Sequence, residues 1–224
     1  NLGEGYLITE GFLMFNGSST IPGNGYQLPQ CTITNNPYGG PNGTYGLLNC
    51  IGIDYGGITV IIRFYEPPGG QGVILSLQNV QYPNYPSNWI PIIYIGTNNY
   101  LYVGDWNFSV TQLSTPISTG WHTLVFSEYA INNSSSYTYY IQAWLDGSYI
   151  GEINTTTLTG IFGASGPYPY DDMGTGYTAG GWSSNNGGWF FFNGSIAYIA
   201  IYPGKVNQSE LDIFNNPLFP SNLP

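Results

Sequence analysis

Positive charge is nearly absent from this sequence. Arg63 and Lys205 are its only basic side chains, set against twelve carboxylates and one histidine, for a net charge of −10. So few cations leave no basic surface for a nucleic acid, whose phosphates bind through Lys and Arg. Charged residues of either sign make up 6% of the 224 residues, against about a quarter in ordinary soluble domains. Long apolar runs are missing as well. The densest, residues 58–62 and 189–192, are strand-sized and fall short of the ~18 residues that mark a membrane span. Helical periodicity is almost lacking. Cysteine is limited to Cys31 and Cys50 and histidine to His122, so a thiolate metal site would need two further ligands that one histidine cannot supply. Core-forming residues are not scarce: 42% of the chain is apolar, which excludes intrinsic disorder.

What is present is polar but uncharged. Solubility comes from Asn, Ser, Thr, Gln, Tyr and Gly, and near neutral pH the carboxylates repel one another with little to pair against. Below about pH 4 they become neutral, and the few cations then leave little residual charge. The composition points to adaptation to acidic surroundings. Two features point to the extracellular side. Asn16, Asn42, Asn107, Asn132, Asn133, Asn154, Asn193 and Asn207 each begin an N-x-Ser/Thr acceptor pattern, and most lie beside turn residues. Asn132 and Asn133 overlap, so one of the two is expected to be used. Cys31 and Cys50 bracket a Gly-, Pro- and Asn-rich stretch, residues 35–46, that buries too little apolar surface to hold itself. A disulfide there stabilises by ~3 kcal/mol and implies an oxidising compartment. The first residue is Asn1 rather than Met, which fits a processed form or a domain cut from a longer chain.

Short apolar alternations between Gly, Pro and Asn clusters predict an all-β fold, an antiparallel sandwich of the jelly-roll kind. Strands are expected at 7–15, 57–65, 72–80, 91–95, 100–103, 122–128, 137–145, 149–153, 177–182 and 195–202, the second buried on both sides. Asn98-Asn99 and Asp146-Gly147 read as tight turns. Asn207-Gln208-Ser209-Glu210 reads as a capping box opening one short C-terminal helix, with Leu211, Ile213 and Phe214 on its apolar side and Pro217 ending it. No repeat or linker divides the chain, so a single domain, 1–224, is expected.

The order of landmarks carries a resemblance. Trp121-His122-Thr123-Leu124-Val125 precedes a strand ending Ala143-Trp144-Leu145-Asp146-Gly147. Gly180-Gly181, Phe192-Asn193-Gly194-Ser195-Ile196-Ala197, Ile201-Tyr202 and Gln208-Ser209-Glu210-Leu211 follow. In order and spacing this resembles the laminin-G-like branch of the concanavalin A-like lectin/glucanase superfamily. Members of that branch run W-H, a strand ending in a D-G hairpin, F-x-G-x-I, I-Y and a short S-x-x-E helix. Phe15-Asn16-Gly17 and the strand at 58–64 fit upstream, and residues 26–56 are the least typical. The resemblance implies the sandwich; its members include glycan binders, adhesion modules, structural modules and some enzymes, so the fold does not settle the function. Physically the landmarks read as structural, with Trp121 and Trp144 covering core edges and Gly194 letting the chain enter a closely packed central strand.

Catalytic constellations are poorly supplied. Glycoside hydrolysis uses two carboxylates ~5–10 Å apart on one face, and the Glu-x-Asp-x-Glu arrangement of the glucanase branch has no counterpart here. Glu128 stands alone, and the adjacent Asp171 and Asp172 would point to opposite faces of an extended chain. His122 lacks a G-x-S-x-G nucleophile elbow and reads as structural. The chain is therefore expected not to be an enzyme. Many laminin-G-like domains hold calcium at the sandwich rim, which makes Asp171 and Asp172, on an apparent long loop, the candidate Ca²⁺ ligands; the plain alternative is a solvated turn, and acidity would weaken the site. Twenty-one Tyr and six Trp exceed what a core requires, and sugar rings stack on such side chains. Tyr170, Asp171, Asp172, Trp189, Trp106 and Asp105 form the candidate glycan-binding set, with Tyr168, Tyr177 and Trp182 nearby in sequence. The same aromatics suit a protein interface or, for Trp182 above all, a core. These residues point to a secreted, N-glycosylated, non-catalytic module, lectin-like or adhesive, recognising glycans or cell-surface proteins. The alternative is a structural subunit of an extracellular assembly (a filament, surface layer or virion coat), joined through residues 1–5 or 217–224 by strand addition.

Overall fold

The segment GITVIIRFYE, rich in β-branched and aromatic side chains that suit a pleated buried surface, forms a long strand at the heart of the molecule. The computed structural model describes residues 6–7, 13–16, 26–79, 89–105, 112–174, 176, 190–207 and 209–211. In chain order its elements begin with β1 (Tyr6–Leu7), β2 (Leu13–Asn16), β3 (Tyr26–Gln27), β4 (Gln30–Ile33), β5 (Gly43–Gly46), α1 (Leu47–Tyr55), β6 (Gly57–Glu66) and β7 (Gly72–Gln78). They continue with β8 (Trp89–Ile95), β9 (Tyr100–Val103), β10 (Leu113–Pro116), β11 (Gly120–Asn132), β12 (Tyr137–Leu145), β13 (Ser148–Thr155), β14 (Tyr170–Met173) and β15 (Asn193–Pro203).

Two antiparallel sheets result, as the alternating pattern predicts. One runs β1-β15-β6-β11-β12-β13, with β2 also on β15; the other runs β10-β9-β8-β7-β14-β3. β4 and β5 form a separate ribbon. Register places Phe126 between Val60 and Ala143, and Leu124 between Ile62 and Leu145. These inward rows meet Ile74, Leu77, Ile92 and Val103 of the second sheet in one core. On the outer face of the first sheet Ile61, Val125, Trp144 and Ala200 form a smaller cluster under Val206 and Leu211. The strands expected at 100–103 and 137–145 are β9 and β12. Asp146 and Gly147 both take positive φ, 51° and 80°, the conformation of a type I′ hairpin turn.

Two expectations are corrected and one falls outside the described residues. The strand expected at 7–15 is two short strands, β1 and β2, both paired with β15. The strand expected at 177–182 lies outside the described residues. The C-terminal helix is not the only one, because α1 occupies part of the segment that fits the resemblance least. Its apolar sequence, LLNCIGIDY, is buried over six of nine positions, so it shows no polar stripe that would mark a surface helix. Cys50 in α1 is bonded to Cys31 in β4, which ties the ribbon to the helix. The expected capping box is present: Glu210 N–H donates to Asn207 Oδ1 at 3.1 Å, and Asn207 N–H donates to the Glu210 carboxylate at 2.9 Å. Residues 209–211 are helical, and those beyond lie outside the described set. Among the described residues no helix is long and apolar enough to cross a membrane.

Gly194 enters β15 where an added Cβ would lie 2.5 Å from the Tyr65 carbonyl oxygen and collide with the Phe192 ring. Gly194→Ala should therefore destabilise the fold by about 2 kcal/mol or more. Urea denaturation checks this, and an unchanged midpoint would show that the strand is not held this tightly.

Candidate functional site

The adjacent carboxylates Asp171 and Asp172 are not on a loop. They lie on β14, between β7 and β3, at 0% and 1% exposure. Strand alternation sends them to opposite faces. Asp171 shares its register position with core Leu77 and accepts the N–H of Leu48, in the first turn of α1, at 2.7 Å. Asp172 pairs with Ser76 and Gln27 and accepts the side-chain amide of Gln78. The loop placement that motivated a shared calcium site is thereby corrected, because two side chains on opposite faces of a strand do not converge on one ion. Among the described residues no group of three or more His, Cys, Asp or Glu gathers as metal ligands would. Tyr170 is half-buried opposite Gln78, and Tyr168 is core at 1% exposure. Trp106 and Trp189, with Tyr177 and Trp182, lie outside the described residues.

Asp105 is interior too. Its Oδ2 accepts the N–H of Ile161 at 2.7 Å, while Glu128 accepts the hydroxyl of Thr159. Both carboxyls are at 0% exposure. Glu66, at the end of β6, is buried with neither oxygen hydrogen-bonded among the described residues. Burial pushes all five groups up: Glu66, Asp105 and Asp172 to about 7, Asp171 to about 8, and Glu128 well above the carboxylate range, with the neighbouring Asp105 charge adding to its burial. The Leu48 N–H favours an Asp171 carboxylate, as helix N-termini do. Desolvation without a cation outweighs it.

His122 is the one buried group that is a cation. Its Nδ1 meets Asp146 Oδ2 at 2.7 Å and its Nε2 meets the Ser118 carbonyl oxygen at 2.7 Å. Both partners only accept when Asp146 is ionised, so both ring nitrogens carry protons and the ring is an imidazolium. The Asp146 bond raises the His122 pKa, against burial. Burial pushes Asp146 up, but hydrogen bonds from His122 and the Thr123 N–H, with the charges of His122 and Arg63, outweigh it and hold the carboxylate below its ordinary value. The structural role expected of His122 is thus a clamp across the β12–β13 turn.

Beside this clamp lies a groove of about 590 Å³, where the edge of β10 faces the β12–β13 hairpin. Ser114, Thr115 and Pro116 line one side, Asp146, Ser148 and Tyr149 the other, and Ser118 and His122 its end. Tyr149 is 55% exposed and leans on Trp144, ring centroids 5.4 Å apart. None of these residues was singled out for binding in the sequence. Asp146 read only as a turn residue, and β10, LSTP, is too short and mixed to show a pattern. Both basic side chains lie elsewhere, on the outer face of the first sheet: Arg63 over the Trp121 ring at 5.5 Å and Lys205 over the Tyr129 ring at 4.4 Å. Of the glycan acceptors, Asn42, Asn132, Asn133, Asn154, Asn193 and Asn207 are exposed; Asn107 and the Asn16 side chain lie outside the described residues.

No protein-family model and no curated protein sequence matches the chain. Solved structures do match in fold. The CBM40 of the Ruminococcus gnavus IT-sialidase superposes with a TM-score of 0.50 at 15% identity, over 85% of this chain and 100% of that one. NanB, solved with Optactamide, gives 0.49 and 16% over 85% of this chain. The leech intramolecular trans-sialidase complexed with 2,7-anhydro-Neu5Ac gives 0.48 and 16% over 91%. This chain spans 27% of the NanB chain and 28% of the leech chain. The likeness to the CBM40 shows the β-sandwich fold; it does not single out the laminin-G-like branch.

The buried carboxyls set a signed pH dependence. Unfolded, they ionise near pH 4; folded, near 7 or above, so between those values the unfolded chain binds fewer protons and stability falls as pH rises. His122 acts in the same direction, since its bond to Asp146 is fully present below about pH 6.5 and is lost as pH passes its raised folded value. Stability should be greatest near about pH 3 to 4 and lower by several kcal/mol at about pH 8. Asp171→Asn keeps an acceptor for Leu48 but cannot ionise. It should leave acid stability within about 1 kcal/mol of the parent and raise stability at about pH 8. Chemical denaturation across pH tests both, and a parent curve peaking near about pH 8 contradicts them.

Proposed function

We propose that this chain is a secreted, non-catalytic glycan-binding module, lectin-like in fold and working by recognition rather than bond cleavage. The observation that carries the reading is the groove beside His122 and Asp146. It combines an exposed tyrosine ring with serine and threonine hydroxyls and a half-exposed carboxylate, the groups that hold a sugar by stacking and hydrogen bonding. The shared fold with CBM40, by its name a carbohydrate-binding module, supports the same reading. Against catalysis stands the placement of the two carboxyls whose charges act on each other. Asp105 and Glu128 are sealed in the core and committed to Ile161 and Thr159, where no glycosidic bond reaches them. Exposed acceptor asparagines and the Cys31–Cys50 bond support passage through an oxidising, glycosylating route. The W-H and D-G landmarks keep the laminin-G-like arrangement as the finer assignment.

A second reading, a structural subunit of an extracellular assembly, is favoured by one observation. β10 and β13 end their sheets among the described residues, and such edges accept an added strand. Light scattering at about pH 3 and 7 separates the two, regular assemblies favouring the subunit and a monomer the module. For the module itself, the protein should be retained on immobilised glycans and release no sugar from them. Retention together with sugar release would make it an enzyme instead.

A further inference from the structure

Building on the glycan-binding reading, we infer that the groove between β10 and the β12–β13 hairpin selects an uncharged, hydroxyl-rich pyranose and rejects acidic sugars, with Asp146 as the hydroxyl acceptor and Tyr149 as the stacking platform. Asp146 is prepared for that role. Its Oδ1 accepts the Thr123 N–H at 2.8 Å and its Oδ2 the His122 ring at 2.7 Å, which fixes the carboxylate in position. A carboxylate has about four lone-pair sites, so each oxygen keeps one for a ligand, and the side chain is 47% exposed at the groove wall. A positioned acceptor of this kind takes two neighbouring sugar hydroxyls as donors. Tyr149 stands three residues on, 55% exposed, with Trp144 supporting its ring. Ser114, Thr115 and Ser148 complete the wall with groups that both donate and accept.

The same carboxylate excludes a ligand acid. It stays ionised because His122 and the Thr123 N–H hold it so, and a sialic or uronic carboxylate beside it would meet a like charge. The cations are already committed. Both imidazolium N–H groups are bonded, to Asp146 and to Ser118. Arg63 is near enough to help keep Asp146 ionised, but it donates to Thr123 Oγ1 at 3.1 Å, stacks on Trp121 and does not line the groove. Glu152, on the same hairpin, is exposed and adds further negative charge.

The test uses the full chain on an array of neutral hexose oligosaccharides and of sialylated or uronate-bearing glycans, at about pH 4 and 7. Neutral glycans should be retained and acidic ones not. Tyr149→Ala, at an exposed position that leaves the core intact, should weaken retention about tenfold. Asp146→Asn keeps the turn, since Asn also tolerates positive φ, and should narrow the preference for neutral over acidic glycans. Retention of acidic glycans at least as strong as of neutral ones overturns the inference. So does neutral binding that Tyr149→Ala leaves unchanged, although the glycan-binding reading then survives at another site. A protein that retains no glycan overturns both.

Discussion

A carboxyl group buried without a cation beside it must be neutral or be surrounded by hydrogen-bond donors, and this chain uses both devices to hold its interior together. Asp171 on β14 accepts the first-turn N–H of α1. One residue further along that helix, Asn49 donates to the carbonyls of Gly160 and Ile161 at 2.6 and 2.9 Å. The Ile161 N–H in turn donates to Asp105, and Thr159 to Glu128. A continuous buried polar path thus runs from the second sheet, through α1, to the turn at 160–165 and on to β11 of the first sheet. Gly46 and Gly52 are needed along it, because a Cβ at either would strike Asp171 or Ile161. Breaking one link leaves the next group buried and unpaired, which costs more than the lost bond.

That path works with very few cations. In ordinary domains a buried Asp finds Arg or Lys, but here both basic side chains are held over aromatic rings on the outer face of the first sheet. With no cation beside them, burial holds these carboxyls above their ordinary values and favours the protonated form. Low pH acts at two levels in the same direction, relieving carboxylate repulsion at the surface and desolvation in the interior.

Where an ionised carboxylate is required, the molecule spends its only histidine. The His122–Asp146 pair is the exception to the neutral interior, and it lies beside the groove rather than in the core. Acid conditions strengthen the imidazolium, and the lowered pKa of Asp146 keeps its charge when the buried carboxyls are neutral. The groove wall thus keeps its carboxylate under the conditions that neutralise the buried carboxyls.

Several features were legible from local pattern because their physics is local. Tyr139, Ile141 and Ala143 face the core as their alternation in β12 predicts. Asp146-Gly147 turns the chain because those residues accept positive φ, and Asn207 with Glu210 caps a helical turn across three positions. The Cys31–Cys50 bond follows from a loop too polar to hold itself. Features that depend on distant partners left no such trace. α1 has no capping side chain of its own, since its cap, Asp171, is 123 positions away from Leu48. Asp171 and Asp172 read as a loop from the sequence; in β14 one oxygen of each is hydrogen-bonded, by α1 and by Gln78, and the other has no partner among the described residues. The groove joins β10 to a hairpin some thirty residues later, and Ser114, Asp146 and Tyr149 share no spacing that marks a site. Composition and short-range pattern determined the sandwich and its turns, because each rests on neighbours along the chain. Which carboxyls are sealed, which one is held ionised, and where the groove opens were decided by packing between strands, since burial and charge pairing belong to the assembled fold.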